Sequence, residues 1–205
     1  MAISFVAAGT AGTGVNPTVG VPTGYAASDL LIIFVTSTVT PTTPTGWTGI
    51  VNYAVVPRLF ACYKIATASE SSVTITAANS TTNAVMLAYR GASGYDVIGT
   101  GSNASSTTIS TNSLTTTKAN DFVISFYGGT AASLNTWTAP ASTNTRFNVS
   151  SNGTVRGLLI VDELQASAGA STSRTATSSA STFLSASSIS IYPTVTNNGS
   201  FFFLM

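Results

Sequence analysis

Apolar residues in this chain come in short runs or alternate with Ser and Thr, and clusters of Gly, Pro, Asn and Thr interrupt them throughout. No stretch keeps apolar residues at three- and four-residue spacing for even three turns, so helices are not expected and strands are. The pattern predicts strands near 3–7, 15–21, 29–38, 47–55, 58–66, 72–77, 84–90, 106–110, 121–128, 145–150, 154–163, 172–177, 186–193 and 200–204. Two Asn-Gly pairs, Asn152-Gly153 and Asn198-Gly199, lie between β-prone runs. Such pairs readily supply the positive φ angles of a tight hairpin. Segments 146–150 and 154–161 are therefore expected to pair, and TVTNNGSFFFLM (194–205) to return a final strand to the sheet.

The pattern also repeats. AASDLLIIFVTST (26–38) is echoed by KANDFVISFYGGT (118–130), each with Ala-x-Asp ahead of a strand of large apolar residues. A short Trp-Thr element follows in both, at Trp47-Thr48 and Trp137-Thr138, and each half closes on an apolar strand, AVMLAYR (84–90) or SSISIYP (187–193). The offset drifts from 92 residues at the aspartates to about 102 at the closing strands, which fits an old duplication or a shared strand logic rather than a tandem array. Halves of this size are too thin to bury both faces of a sheet alone. The expectation is a single all-β domain over 1–205, a two-sheet antiparallel sandwich of jelly-roll type built from halves of about 1–95 and 100–205. The competing reading, two small domains, would place its linker in GASGYDVIGTGSN (91–103), a segment that fits equally well as a loop crossing between the halves.

Composition adds a second constraint. Charged residues are 6% of the chain and apolar ones 44%, while 29 Ser and 35 Thr take the place of the usual charged coat. With a net charge of +1 and no Lys/Arg run, nothing here neutralises a series of phosphates, so nucleic acid is not an expected partner. The longest aliphatic or aromatic run, Leu30 to Val35, is six residues. A membrane helix needs about 20. The opening MAISFVAAGTAGTG lacks the basic and apolar regions of a secretory leader, and none is expected. A surface this poor in charge is weakly protected against association, which suits a permanent assembly.

Chemistry is sparse. There is no histidine, which removes Ser-His-Asp and Cys-His catalysis. The acids are Asp29, Glu70, Asp96, Asp121, Asp162 and Glu163. Asp162 and Glu163 are neighbours on a predicted strand and point to opposite faces. Asp29 and Asp121, at equivalent points of the echo, are expected to satisfy backbone N–H groups, and no Asp-x-Asp spacing suggests calcium. No enzymatic activity, metal or cofactor is expected. Trp47 and Trp137 read either as packing residues or as platforms for stacking on sugar rings. Arg90, between Tyr89 and Gly91, reads as an interface anchor or a solvated strand end. Phe201 and Phe203, within FFFLM, put aromatic rings on one face with Phe202 on the other, so this strand is either central or covered by another chain.

The order of these elements resembles a recurring β-sandwich module of tailed-phage virion proteins. The residues that carry it are Val21-Pro22, SDLLIIFVT (28–36), TPTGWT (43–48), Tyr63-Lys64 with Ala66-Thr67-Ala68, LAYRG (87–91), ANDFVISF (119–126) and WTAP (137–140). The resemblance implies a capsid decoration (cement) or tail-associated part, made in the host cytoplasm and located in the virion, with no catalytic residues. The expected partner is the major capsid protein or another virion protein, reached as a homo-oligomer such as a trimer. The alternative is a tail-fibre, tailspike or carbohydrate-binding adhesin module.

Overall fold

The structure, a computed structural model, describes residues 1–79, 81–130 and 134–195, and none of these is helical. The first half holds β1 (Ser4–Ala8), β2 (Gly12–Thr13), β3 (Thr18–Val19), β4 (Leu30–Ser37), β5 (Thr48–Tyr53), β6 (Arg58–Ile65), β7 (Val73–Thr74) and β8 (Asn83–Arg90). The second holds β9 (Ala92–Ile98), β10 (Ser102–Ser110), β11 (Thr115–Thr116), β12 (Asp121–Gly129), β13 (Leu134–Asn135), β14 (Trp137–Thr138), β15 (Asn144–Val149), β16 (Ser151–Asn152), β17 (Gly157–Gln165), β18 (Gly169–Ala170) and β19 (Thr175–Pro193).

Each half forms its own antiparallel sheet, and the two sheets share one plan. The first runs β1–β8–β4–β6–β5, with β2 also on β8. The second runs β10–β19–β12–β17–β15, with β9 pairing the last residues of β19 as β1 pairs β8. The small pair β3–β7 is matched by β11–β18. Register agrees as well: Leu30 lies between Ile65 and Tyr89, and Phe122 between Leu164 and Ile191. Even the backbone ahead of each aspartate repeats, with Ser28 at φ 73° and Asn120 at φ 61°. A jelly roll interleaves strands from both halves in each sheet, whereas this chain completes one sheet before beginning the next.

Strict alternation puts Leu30, Ile32 and Phe34 of β4 on one face and Leu31, Ile33 and Val35 on the other. The first set meets Ile124, Phe126, Leu158, Ile160, Ile189 and Ile191 of the opposite sheet in one shared core, where the Phe34 and Phe126 ring centroids are 5.0 Å apart. The second set is also buried, under a cap of extended chain that brings Val19, Ile75 and Trp47 onto the outer face. The other sheet is capped likewise, with Ile109, Tyr127, Trp137 and Leu184 in its outer cluster. Central strands covered on both faces explain why LLIIFVTS shows no polar alternation.

The hairpin expectation at Asn152-Gly153 agrees with the pairing of Val149 with Leu158, and Gly153 has φ 84°. Three elements differ from the sequence reading. The 91–103 segment is neither linker nor plain loop, because Ala92–Ile98 is β9 and hydrogen-bonds along β19. Segments 172–177 and 186–193 are parts of one 19-residue strand, β19. Segments 15–21 and 72–77 contribute only the two-residue strands β3 and β7, since they cross the outer face as cap. The expected 200–204 strand and the Asn198-Gly199 turn lie outside the described residues.

Candidate functional site

Almost all of the sparse charge is used inside the fold. Five of the six acids are in ion pairs: Asp29 with Arg90, Glu70 with Lys64, Asp96 with Lys118, Asp162 with Arg146, and Glu163 with Arg174. Asp162 and Glu163 do diverge as alternation requires. Asp162, fully buried, faces the shared core, accepts a hydrogen bond from Tyr89 Oη of the other sheet at 3.0 Å and pairs with Arg146 Nε at 2.7 Å. The Arg146 guanidinium lies 4.6 Å from the Phe5 ring centroid, so this network ties the two sheets together. Burial, and then the adjacent Asp162 charge, push the Tyr89 hydroxyl well above the usual phenol range. Glu163 faces outward to Arg174, whose backbone is tied into the cap.

Lys64 and Glu163 occupy equivalent register positions in the two sheets. Their pairs are therefore the same strand-to-cap clasp with the charges exchanged. Against the upward push of burial, hydrogen bonds from Lys64 and Thr67 hold the Glu70 carboxyl below the usual range. Cys62 is buried among outer-face apolar groups, and burial raises its thiol to about 12, which makes it an inert packing residue.

Arg90 stands at the end of β8. Its Nε and Nη2 bind Asp29 Oδ1 and Oδ2 at 3.1 and 2.9 Å, and Nη2 also reaches the Gly24 carbonyl at 2.9 Å. The side chain is 45% exposed, so this guanidinium is held rigidly at the surface. It lines a hollow of about 250 Å³ with Met1, Asp29, Gly91 and Thr194. Met1 and Thr194 also line a larger, mainly apolar hollow of about 610 Å³ that includes Ile3, Phe122, Leu164 and Val195. Leu164 and Val195 are 56% and 76% exposed. A fixed arginine beside exposed apolar side chains is a chemistry suited to docking a protein surface.

The two tryptophans differ in access. Trp137 is buried against Tyr127, and a side chain at Gly157 would stand 2.7 Å from its Nε1. Its ring offers no face to a sugar. Trp47 is half-buried on the outer cluster of the first sheet, with Lys64 Nζ 5.9 Å from the ring centroid. Phe201 and Phe203 lie outside the described residues. The described residues hold no group of three or more Cys, Asp or Glu side chains placed to bind a metal ion, and no helix long and apolar enough to cross a membrane. No family model, curated protein or solved structure matches the chain.

Proposed function

We propose that this chain is a virion structural protein, a head decoration or cement protein that stabilises a capsid by binding its major capsid protein. The observation that carries this reading is the use of charge. Five of six acids are spent on internal pairs, which leaves a Ser/Thr-rich, nearly uncharged β surface with one apolar end marked by Arg90. Such a surface associates through shape and apolar burial rather than through ions, and uncharged edge strands favour contact with further chains. An antibody raised against the folded chain should label the shell of intact particles at many copies each in negative stain. Labelling confined to the tail, or none, contradicts the cement role.

One observation favours the second reading, a tail-fibre or carbohydrate-binding module: Trp47 keeps part of its ring at the surface beside exposed Thr45 and Thr48. Binding on a glycan array that Trp47→Ala abolishes without unfolding the protein would support it, and Trp137→Ala would act through stability alone.

A further inference from the structure

The two halves part company at one buried acid. In the first sheet Asp29 lies opposite Arg90 on β8 and is neutralised by it. In the second, Asp121 takes the place of Asp29, and the position corresponding to Arg90 is Tyr192 on β19. Asp121 is fully buried, has no ion-pair partner among the described residues, and neither of its carboxyl oxygens receives a hydrogen bond there. Its side-chain neighbours are the Asp96 carboxyl and the Ser190 hydroxyl.

Asp96, on β9, in turn accepts from Thr117 N–H at 2.6 Å and from Thr117 Oγ1 at 2.5 Å, which pins the end of the β11 cap segment to β9. Lys118 Nζ sits 3.6 Å from Asp96 Oδ1 and 3.3 Å from the Tyr192 ring centroid. Its charge is therefore shared with Asp96 and the ring instead of being delivered to Asp121. Gln165, the register partner of Asp121 on β17, is uncharged. The charged and titratable groups facing Asp121 are thus Asp96 from β9, Lys118 from the turn before β12, and Tyr192 from β19.

We infer that Asp96 and Asp121 form a proton-sharing latch that joins the crossover strand β9, the β11 cap and the central strand β12, and that opens when the shared proton is lost. A proton on Asp121 turns the contact between two acceptors into an O–H···O bond to Asp96. Without it, two carboxylates meet in a buried site with one half-exposed lysine nearby. The energetics point the same way. Burial, then the Asp96 carboxyl beside it, raise Asp121 to about 7, with the Ser190 hydroxyl and Lys118 offsetting part of the rise. The latch is independent of the assembly role proposed above.

Three readouts test it. The carboxyl carbon of Asp121, followed by NMR, should titrate near neutral pH in the wild-type protein, and well below that in Asp96→Asn or in Tyr192→Arg, which copies Arg90 of the first sheet. Hydrogen exchange at the Thr117 amide, and at the β9 amide of Val97 that donates to Ser190 Oγ at 3.2 Å, corrected for the intrinsic rate, should accelerate at least about tenfold between pH 5.5 and 8, because each pH unit across a raised carboxyl is worth about that factor. Asp121→Asn, whose amide donates to Asp96 at every pH, should abolish the acceleration. Wild-type titration of Asp121 below about pH 5, in the ordinary carboxylate range, or equal acceleration in Asp121→Asn, overturns the latch. The wild-type titration decides the question even if a variant fails to fold.

Discussion

Asp162 shows how much one acid does in a chain with so few. It is fully buried, and its partners come from different sheets, Tyr89 from β8, and Arg146 and Asn144 from β15. Asp162→Ala leaves the half-buried Arg146 cation and the buried Tyr89 hydroxyl without their shared carboxylate, and breaking a buried pair in this way typically costs about 3–5 kcal/mol. Urea unfolding at neutral pH should show a loss of that size, whereas Asp162→Asn, which retains an acceptor for Tyr89, should lose less. Stability should also peak in mild acid. Glu70 and Asp96 are held below their unfolded values, so the stability they contribute is present above about pH 4 and disappears as pH falls through their folded values. Asp121 is raised, so its contribution is complete below its unfolded value near pH 4 and is lost as pH rises toward about 7. Thermal unfolding between pH 3 and 9 should give a maximum between these limits, and a plateau reaching unchanged to pH 8 would contradict it. At this scale the sequence disclosed directions and not partners. Alternation alone sends Asp162 and Glu163 to opposite faces, but finding Tyr89, Arg146 and Arg174 requires the register of strands far apart in the chain. Asp29 does accept from a backbone N–H, that of Ala26 at 2.8 Å, as its position before a strand suggests. Asp121 does not follow it. The signal that could have exposed the difference is the absence of an arginine opposite it in the second half.

Among the elements, β4, β6, β8, β12 and β17 were legible because each carries enough large apolar residues to be buried on both faces. β9 was not: ASGYDVI has three small residues and an acid in seven positions, and it is a strand because β19 supplies its hydrogen bonds. Residues 178–183 of β19, SSASTF, hid for a similar reason, since Ser, Thr and Ala hold an edge ribbon with β10 without an apolar signature. The step from one sheet to the other depends on Gly91, at φ 77°, where an added Cβ would stand 2.5 Å from the Ala2 carbonyl oxygen. Gly91→Ala should therefore cost at least about 1–2 kcal/mol from the left-handed backbone alone. Trp137 anchors the outer cap of the second sheet between Tyr127 and Gly157, and Trp137→Ala should cost about 3–5 kcal/mol. Equilibrium unfolding checks both, and a loss below about 0.5 kcal/mol at either site, the range of an ordinary surface substitution, would contradict the packing described.

For the whole molecule, the repeated strand plan and the low charge work together. Two sheets of the same order meet face to face over one apolar core, each outer face is closed by its own cap, and most of the charged groups act as internal clasps between strands, sheets and caps. What remains for the proposed partner is a nearly uncharged surface with an apolar end beside Arg90, and association through such a surface should be indifferent to salt. The most direct measurement is sedimentation of the purified protein with capsids assembled without it, counting bound copies at about 0.1 M and about 1 M salt, where the screening length falls from about 10 Å to about 3 Å. The expected result is saturation at a fixed number of copies per capsid that is the same at both concentrations. Unsaturable or absent binding, or release at high salt, would contradict the account.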